Sequence, residues 1–238
     1  LGGVGSHAAN MLARSGVQNL RLVDFDQVTL SSLNRHALAT MEDVGISKAA
    51  AVKKRLLGIV PWCNIEDMTE MLVTDNAERL LTHGIEPTFV LDCIDDVNTK
   101  AELLHFCKQK SLKVITSMGA GGKGDPTKLC IGTLGDVVKD PLASKMKWKL
   151  KKLGLTSDDI DDIMTVYSAE KPQVELLPLS DEQHGNPQDF GAVEYLRLRV
   201  IPVLGTSPAV FGQSMASFVL CQIAGKPYAP EACERMSK

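Results

Sequence analysis

No Cys-x-x-Cys pair occurs in this chain. Its cysteines, Cys63, Cys93, Cys107, Cys130, Cys221 and Cys233, are scattered. A tetrathiolate zinc site therefore has no support, and thiols spread through an α/β sequence read as reduced. No apolar run reaches the roughly 18 residues of a membrane-spanning helix. The stretch 202–223 comes nearest, and Gly205, Ser207, Pro208, Gln213 and Ser214 interrupt it. The histidines (His7, His36, His83, His105, His184) show no metal-ligand spacing and no nucleophile partner, though His36 adjoins Arg35 of the site read below. An excess of positive charge is also lacking. The net charge is -3, so any contact with nucleic acid must use a local patch. No internal repeat is visible. A hydrophobic content of 44% in 238 residues suits one large domain, or one domain with an appendage.

A further absence is at the start. Leu1-Gly2-Gly3-Val4-Gly5-Ser6 is most of a G-x-G-x-x-G turn, without the first glycine and without the strand that positions such a turn. The sequence therefore reads as a piece of a longer protein, with any anchor or targeting segment upstream. After the turn the remaining parts of a nucleotide site come in order: a helical run to Ser15, the strand Leu20-Arg21-Leu22-Val23, and the acid Asp24. Glycines admit phosphates to the backbone, the helix N-terminus holds them, and the acid binds a ribose.

Beyond Asp24 the sequence departs from a hydride-transfer site. Asp26, Asn34-Arg35, Lys48 and Asp92-Cys93-Ile94-Asp95-Asp96 are phosphate- and metal-binding groups. Arg35 can neutralise phosphate charge in a phosphoryl-transfer transition state. Lys48 opens a helix, where its charge opposes the macrodipole, a local misfit that suits a phosphate ligand. Asp95 is the expected Mg²⁺ ligand, because a hard cation beside triphosphate takes oxygen ligands. Asp96 and Asn98 compete as cap of the next helix.

Strands are expected near 20–23, 65–70, 89–92 and 113–117. They alternate with helices near 6–15, 47–58, 75–82 and 97–110, with Ser47 and Asp75 as N-caps. This alternation predicts an α/β, Rossmann-like, doubly wound and mostly parallel sheet over 1–117, with a C-terminal α/β extension over 118–238. In the extension we expect a strand at 128–134, a basic helix at 136–153 and a short acidic helix capped by Thr156 or Ser157. A mobile loop near 172–189, a strand at 196–203 and a closing helix from Pro208 to Ile223 complete it. In the basic helix, Lys145, Lys149 and Lys152 share one stripe with Trp148 among them. Two readings stay open: an RNA-binding face, with Trp148 stacking on a base, or a solvated face, with Trp148 packed inward.

The ordered set Gly2-Gly3-Val4-Gly5-Ser6, Asp24-Phe25-Asp26, Asn34-Arg35, Gly45 with Lys48, and Asp92-Cys93-Ile94-Asp95 resembles the adenylating superfamily related to ubiquitin activators. Thr116 to Thr127, Asp140-Pro141-Leu142-Ala143, Val166 to Pro172 and Pro202 to Thr206 look like its tRNA threonylcarbamoyladenosine dehydratase branch, in the fungal type. The resemblance implies a single adenylating domain over 1–238 that uses ATP and Mg²⁺ to cyclise threonylcarbamoyladenosine next to the anticodon of tRNA. Gly2, Gly3, Gly5, Ser6, Asp24, Asp26 and Asn34 would bind nucleotide, Arg35 and Lys48 would grip phosphates, and Asp95 would hold the metal. It also implies a homodimer and, for fungal members, a cytosol-facing place on the mitochondrial outer membrane through an upstream anchor. The rivals are activation of a ubiquitin-like or sulfur-carrier protein, an NAD-dependent oxidoreductase, and a non-catalytic partner that kept the fold.

Overall fold

The computed structural model describes residues 1–138, 140–171 and 203–230, with the backbone alone at 177–178 and 199–200. The chain opens with α1 (Gly3–Arg14), β1 (Asn19–Val23), α2 (Lys48–Ile59) and β2 (Asn64–Met68). β1 and β2 pair in parallel, Leu20 beside Ile65. The apolar faces of α1 and α2 bury Ala9, Ala13, Val52 and Leu56 against Leu22 and Ile65. Ser47 caps α2, its hydroxyl accepting from the Ala50 amide as expected.

The second ladder contains β3 (Val90–Asp92), β4 (Val114–Ser117), β5 (Leu129–Thr133) and β6 (Met164–Ser168), in the order β3-β4-β6-β5. β3, β4 and β6 run parallel, and β5 is antiparallel to β6. Successive residues of a strand point to opposite faces, and here both faces are covered. Val114 and Tyr167 enter a core with α4 (Val97–Gln109) and α5 (Pro141–Lys152). Ile115 and Val166 enter another with α1 and α7 (Thr206–Ile223). The fold is thus α/β, Rossmann-like and doubly wound. α7 buries Phe211, Met215, Phe218 and Val219, each contributing about 1.5–3 kcal/mol if fully withdrawn from water. It approaches α1 closely: a Cβ on Gly212 would lie 2.3 Å from the Val4 carbonyl oxygen.

Several expectations need correction. β6 was not foreseen, yet it is the strand between β4 and β5. The helix α3 (Ala77–Thr82) begins later than expected and Asp75 does not cap it. Asn76 flanks it, but the Asn76 carboxamide oxygen accepts from Val73 N instead. The basic helix starts at Pro141 and not at 136, because Leu134–Asp136 forms a separate 3-10 turn closed by a Thr133–Asp136 capping box. Asp140 caps α5 with Pro141 at the first helical position. The acidic helix α6 (Ser157–Asp161) is capped by Thr156. Two short strands, β7 (Leu177–Pro178) and β8 (Arg199–Val200), pair antiparallel. The rest of the loop expected at 172–189 and most of the strand expected at 196–203 lie outside the described residues. No helix among the described residues is long and apolar enough to cross a membrane.

Candidate active site

A cavity of about 1680 Å³ runs between β1 and β3 along their length, and its carboxyl end is where such sheets bind ligands. Gly2, Gly3, Gly5, Asp24, Asp26, Arg35, Lys48 and Asp95 all line it. The structure therefore brings together groups that lie up to 93 positions apart in the sequence, from Gly2 to Asp95.

Gly2 precedes α1, whose first turn has neither a side-chain cap nor an acid. Its N–H groups and positive dipole end suit an anion. The glycines divide their work. A Cβ at Gly2 would meet nothing within 4 Å, so this residue presents open backbone. At Gly3 a Cβ would strike Pro208 at 2.8 Å and crowd Arg35 Cγ at 3.2 Å, and at Gly5 it would touch Cys93. Ser6 is a correction: its side chain is wholly buried and accepts from Ala37 N at 3.0 Å, which fixes the 34–37 turn instead of facing the crevice.

Asp24 follows β1 and accepts from the Asp26 amide at 2.8 Å. Lys48 pairs with Asp26 at 2.7 Å. Arg35 donates to the Ser31 carbonyl and, at 3.0 Å, to the Asn34 side chain. Asn34 is a second correction. It is exposed, does not line the crevice, and supports Arg35. The segment before α7 closes on this pair: Asn34 Nδ2 reaches the Val203 carbonyl at 3.4 Å, and a Cβ on Gly205 would lie 2.3 Å from the Asn34 carbonyl oxygen. Nothing in the sequence links Gly205 to Arg35.

The three acids after β3 have different surroundings. Asp92 is buried, pairs with Lys100 Nζ at 2.8 Å and accepts from Thr116 Oγ1 at 2.6 Å. Asp96 caps α4 through the Asn98 and Thr99 amides. Asp95 is exposed at the crevice. Among the described residues no group of three or more His, Cys, Asp and Glu converges on a metal. A lone carboxylate still fits Mg²⁺, which takes its remaining oxygens from phosphates and water. Burial pushes the Cys93 thiol up to about 11 and the Cys107 thiol up to about 12, so neither is a ready thiolate.

His36 is buried and does not line the crevice. Its Nδ1 accepts from the Leu38 and Ala39 amides, and its Nε2 has no partner. Burial lowers its pKa from 6.5 to about 4, helped by the Lys48 charge. Above about pH 6.5 the ring is neutral in both states, so pH does not act through it. As pH falls further the unfolded chain takes up a proton that the folded chain refuses, and stability is lost progressively to about pH 4, by about 3 kcal/mol in all. Asn in place of His36 keeps an acceptor for the two amides. We expect the Tm of His36→Asn to fall less steeply than wild type between pH 6.5 and 4; parallel slopes would remove His36 from the acid transition.

The lysine-rich helix also resolves. Trp148 is 63% exposed, against the inward-packed alternative, while Ala143, Met146 and Leu150 fill the buried face. Lys147 donates to the Gly135 and Val137 carbonyls at 3.3 Å. Lys145, Lys149 and Lys152 share Trp148's side of the helix.

Known proteins resemble this chain in sequence and fold. The chain is 45% identical over 234 residues to tRNA threonylcarbamoyladenosine dehydratase 2 of Saccharomyces cerevisiae, covering 96% of this chain and 52% of the relative. It is 36% identical over 151 residues to the Escherichia coli dehydratase, covering 63% of this chain and 56% of that one. It spans about half the length of these curated relatives. The crystal structure of the E. coli tRNA N6-threonylcarbamoyladenosine dehydratase with ATP superposes with a TM-score of 0.77 at 28% identity, covering 94% of this chain and 83% of that one. The complex with AMP gives a TM-score of 0.79 at 30% identity and the same coverage. The ThiF family pattern matches residues 1–236, and this chain belongs to the ThiF family.

Proposed function

We propose that this chain forms the catalytic part of an ATP-dependent tRNA threonylcarbamoyladenosine dehydratase. The observation that carries the reading is the convergence of Arg35, Lys48, Asp24 and Asp95 on one crevice at the open N-terminus of α1. The likeness to a named dehydratase over 96% of the chain supports threonylcarbamoyladenosine-bearing tRNA as the substrate.

A carboxylate resists attack because oxide is a poor leaving group. In the proposed reaction the threonyl carboxylate oxygen attacks the α-phosphorus of ATP, and pyrophosphate leaves. A carbamoyl nitrogen or oxygen of the same residue then attacks the acyl carbon. AMP departs with the former carboxylate oxygen, and a carbamoyl proton goes to solvent. The net change in the nucleoside is loss of one water. The second step is intramolecular and gains from a high effective molarity. The chain therefore needs to position groups and place charge, and it needs no covalent nucleophile. Asp24 holds the ribose, the α1 N-terminus and Lys48 hold phosphates, and Arg35 meets charge developing at the α-phosphate. Asp95 would hold Mg²⁺, which when bound neutralises phosphate charge. In this reading 1–117 binds the nucleotide, 118–238 faces the tRNA, and the enzyme works as a homodimer.

The test uses full-length protein, ATP with Mg²⁺, and tRNA bearing threonylcarbamoyladenosine. Mass spectrometry of the digested nucleosides should reveal loss of one water that depends on ATP, with AMP and pyrophosphate released. No water loss, with pyrophosphate exchange only after a small carrier protein is added, would replace this reading with protein activation.

A further inference from the structure

We propose that the outward stripe of α5, Lys145, Trp148, Lys149 and Lys152, is the surface on which the RNA strand leading into the crevice docks. The inference rests on the proposed function for the identity of the RNA, but its evidence is separate. The spacings of three, one and three residues put all four side chains on one helical face, opposite the buried Ala143, Met146 and Leu150. Trp148 exposes 63% of its surface, and Lys152 Nζ stands 5.3 Å from its ring centroid. A solvated lysine face does not call for a large aromatic in its middle, whereas an aromatic beside cations suits an unstacked base flanked by phosphates.

Charge complementarity points the same way. Eight other described lysines pair with carboxylates, as in Lys53–Asp67, Lys110–Glu78 and Lys128–Asp125. Lys145, Lys149 and Lys152 have no carboxylate partner among the described residues. The macrodipole accounts for cations in the last turn of α5, but Lys145 lies before that turn.

Position supplies the third argument. Leu142, at the start of α5, lines the crevice. Asp140 caps α5 through the Leu142 and Ala143 amides and binds the buried Lys123 ammonium at 3.1 Å. Lys123 continues the loop whose Gly119, Ala120 and Gly121 line the same crevice. The helix is thus tied to the crevice wall. At 1.5 Å per residue, Lys145 and Lys152 lie about 5 and 15 Å along the axis from Leu142. That interval of about 10 Å matches about three nucleotides of stacked strand. A strand whose modified residue enters the crevice can therefore run outward over the stripe.

The test compares full-length wild type with a Lys145→Gln, Lys149→Gln, Lys152→Gln triple variant. Binding of tRNA is measured against salt, and water loss is measured at saturating tRNA. The salt slope should fall by about 2, at about 0.7 per lysine for a single strand, with the KM for tRNA raised and kcat retained. RNA should quench tryptophan fluorescence, and the quenching should be smaller in Trp148→Phe than in wild type. Trp148→Ala should weaken binding about tenfold. If the wild type dehydrates tRNA but the triple variant keeps the wild-type salt slope, the stripe is overturned and the function stands. If the wild type binds tRNA through the stripe but removes no water, the function falls and the stripe stands. If the wild type does not bind tRNA, both fall.

Discussion

Asp95→Ala and Arg35→Ala should each lower ATP-dependent water loss by at least about 10²–10³-fold, the cost of removing one group aimed at transition-state charge, while Tm stays within a few degrees of wild type. Both side chains line the crevice and neither belongs to a buried core cluster, so their loss should leave packing intact. Arg35 is held by the Ser31 carbonyl and the Asn34 side chain, and Asn34 is in turn packed by Gly205. Arg35→Lys keeps the charge and loses the planar fork, so most of the loss should remain. Asp95→Asn keeps the shape and loses the negative charge that a hard cation needs, and it should behave like the alanine variant. The defect should appear in kcat more than in the KM for ATP if Arg35 acts on charge developing at the α-phosphate. AMP and pyrophosphate release under single-turnover conditions measures this directly, and wild-type turnover in either variant would sink the assignment.

How legible this site was depended on whether each residue's role is local. The glycine turn, the Ser47 cap, Lys48 at the start of α2 and the Asp140-Pro141 start of α5 are settled within a few residues of chain, and the sequence displays them. β6 was missed because it is buried through most of its length, so Met164-Thr165-Val166-Tyr167-Ser168 shows no polar alternation. Of the acids after β3, the sequence singles out Asp95 for the metal and offers Asp96 as a cap, but gives Asp92 no separate role. Their roles diverge through contacts with Thr116, Lys100 and the start of α4, of which only the last is local. Gly205 and Asn34 touch across more than half of the chain, and no spacing rule announces such a contact. Lys100 did leave a trace. It occupies the same helical stripe as Leu103, Leu104 and Cys107, where a lysine is out of place unless a buried anion waits for it.

That misfit sets the second large effect. Lys100→Met should destabilise the protein by about 3–5 kcal/mol, because removing one partner leaves the other a buried, uncompensated charge. Lys100 and Asp92 are both wholly buried. The lysine ammonium bonds Asp92 Oδ2 at 2.8 Å and the Ile94 carbonyl at 2.9 Å. Asp92 also accepts from Thr116 Oγ1 and, at 3.1 Å, from the Ile94 amide. The network therefore pins both sides of Ile94, the residue immediately before Asp95. At about 2–4 °C per kcal/mol for a domain of this size, Tm should fall by roughly 10 °C. The methionine nearly matches the lysine in volume, so cavity formation contributes little and the loss reports electrostatics. A double variant, Asp92→Asn with Lys100→Met, removes the stranded charge and should recover part of the stability. The loop should not recover with it, because the Ile94 carbonyl still lacks its ammonium. Water loss should thus stay depressed in the double variant even where Tm is regained. Denaturation midpoints for the two single variants and the double, paired with single-turnover rates, separate these terms. Additive stabilities would mean that the pair does not act as a unit, and a wild-type rate in the double variant would mean that it does not position Asp95.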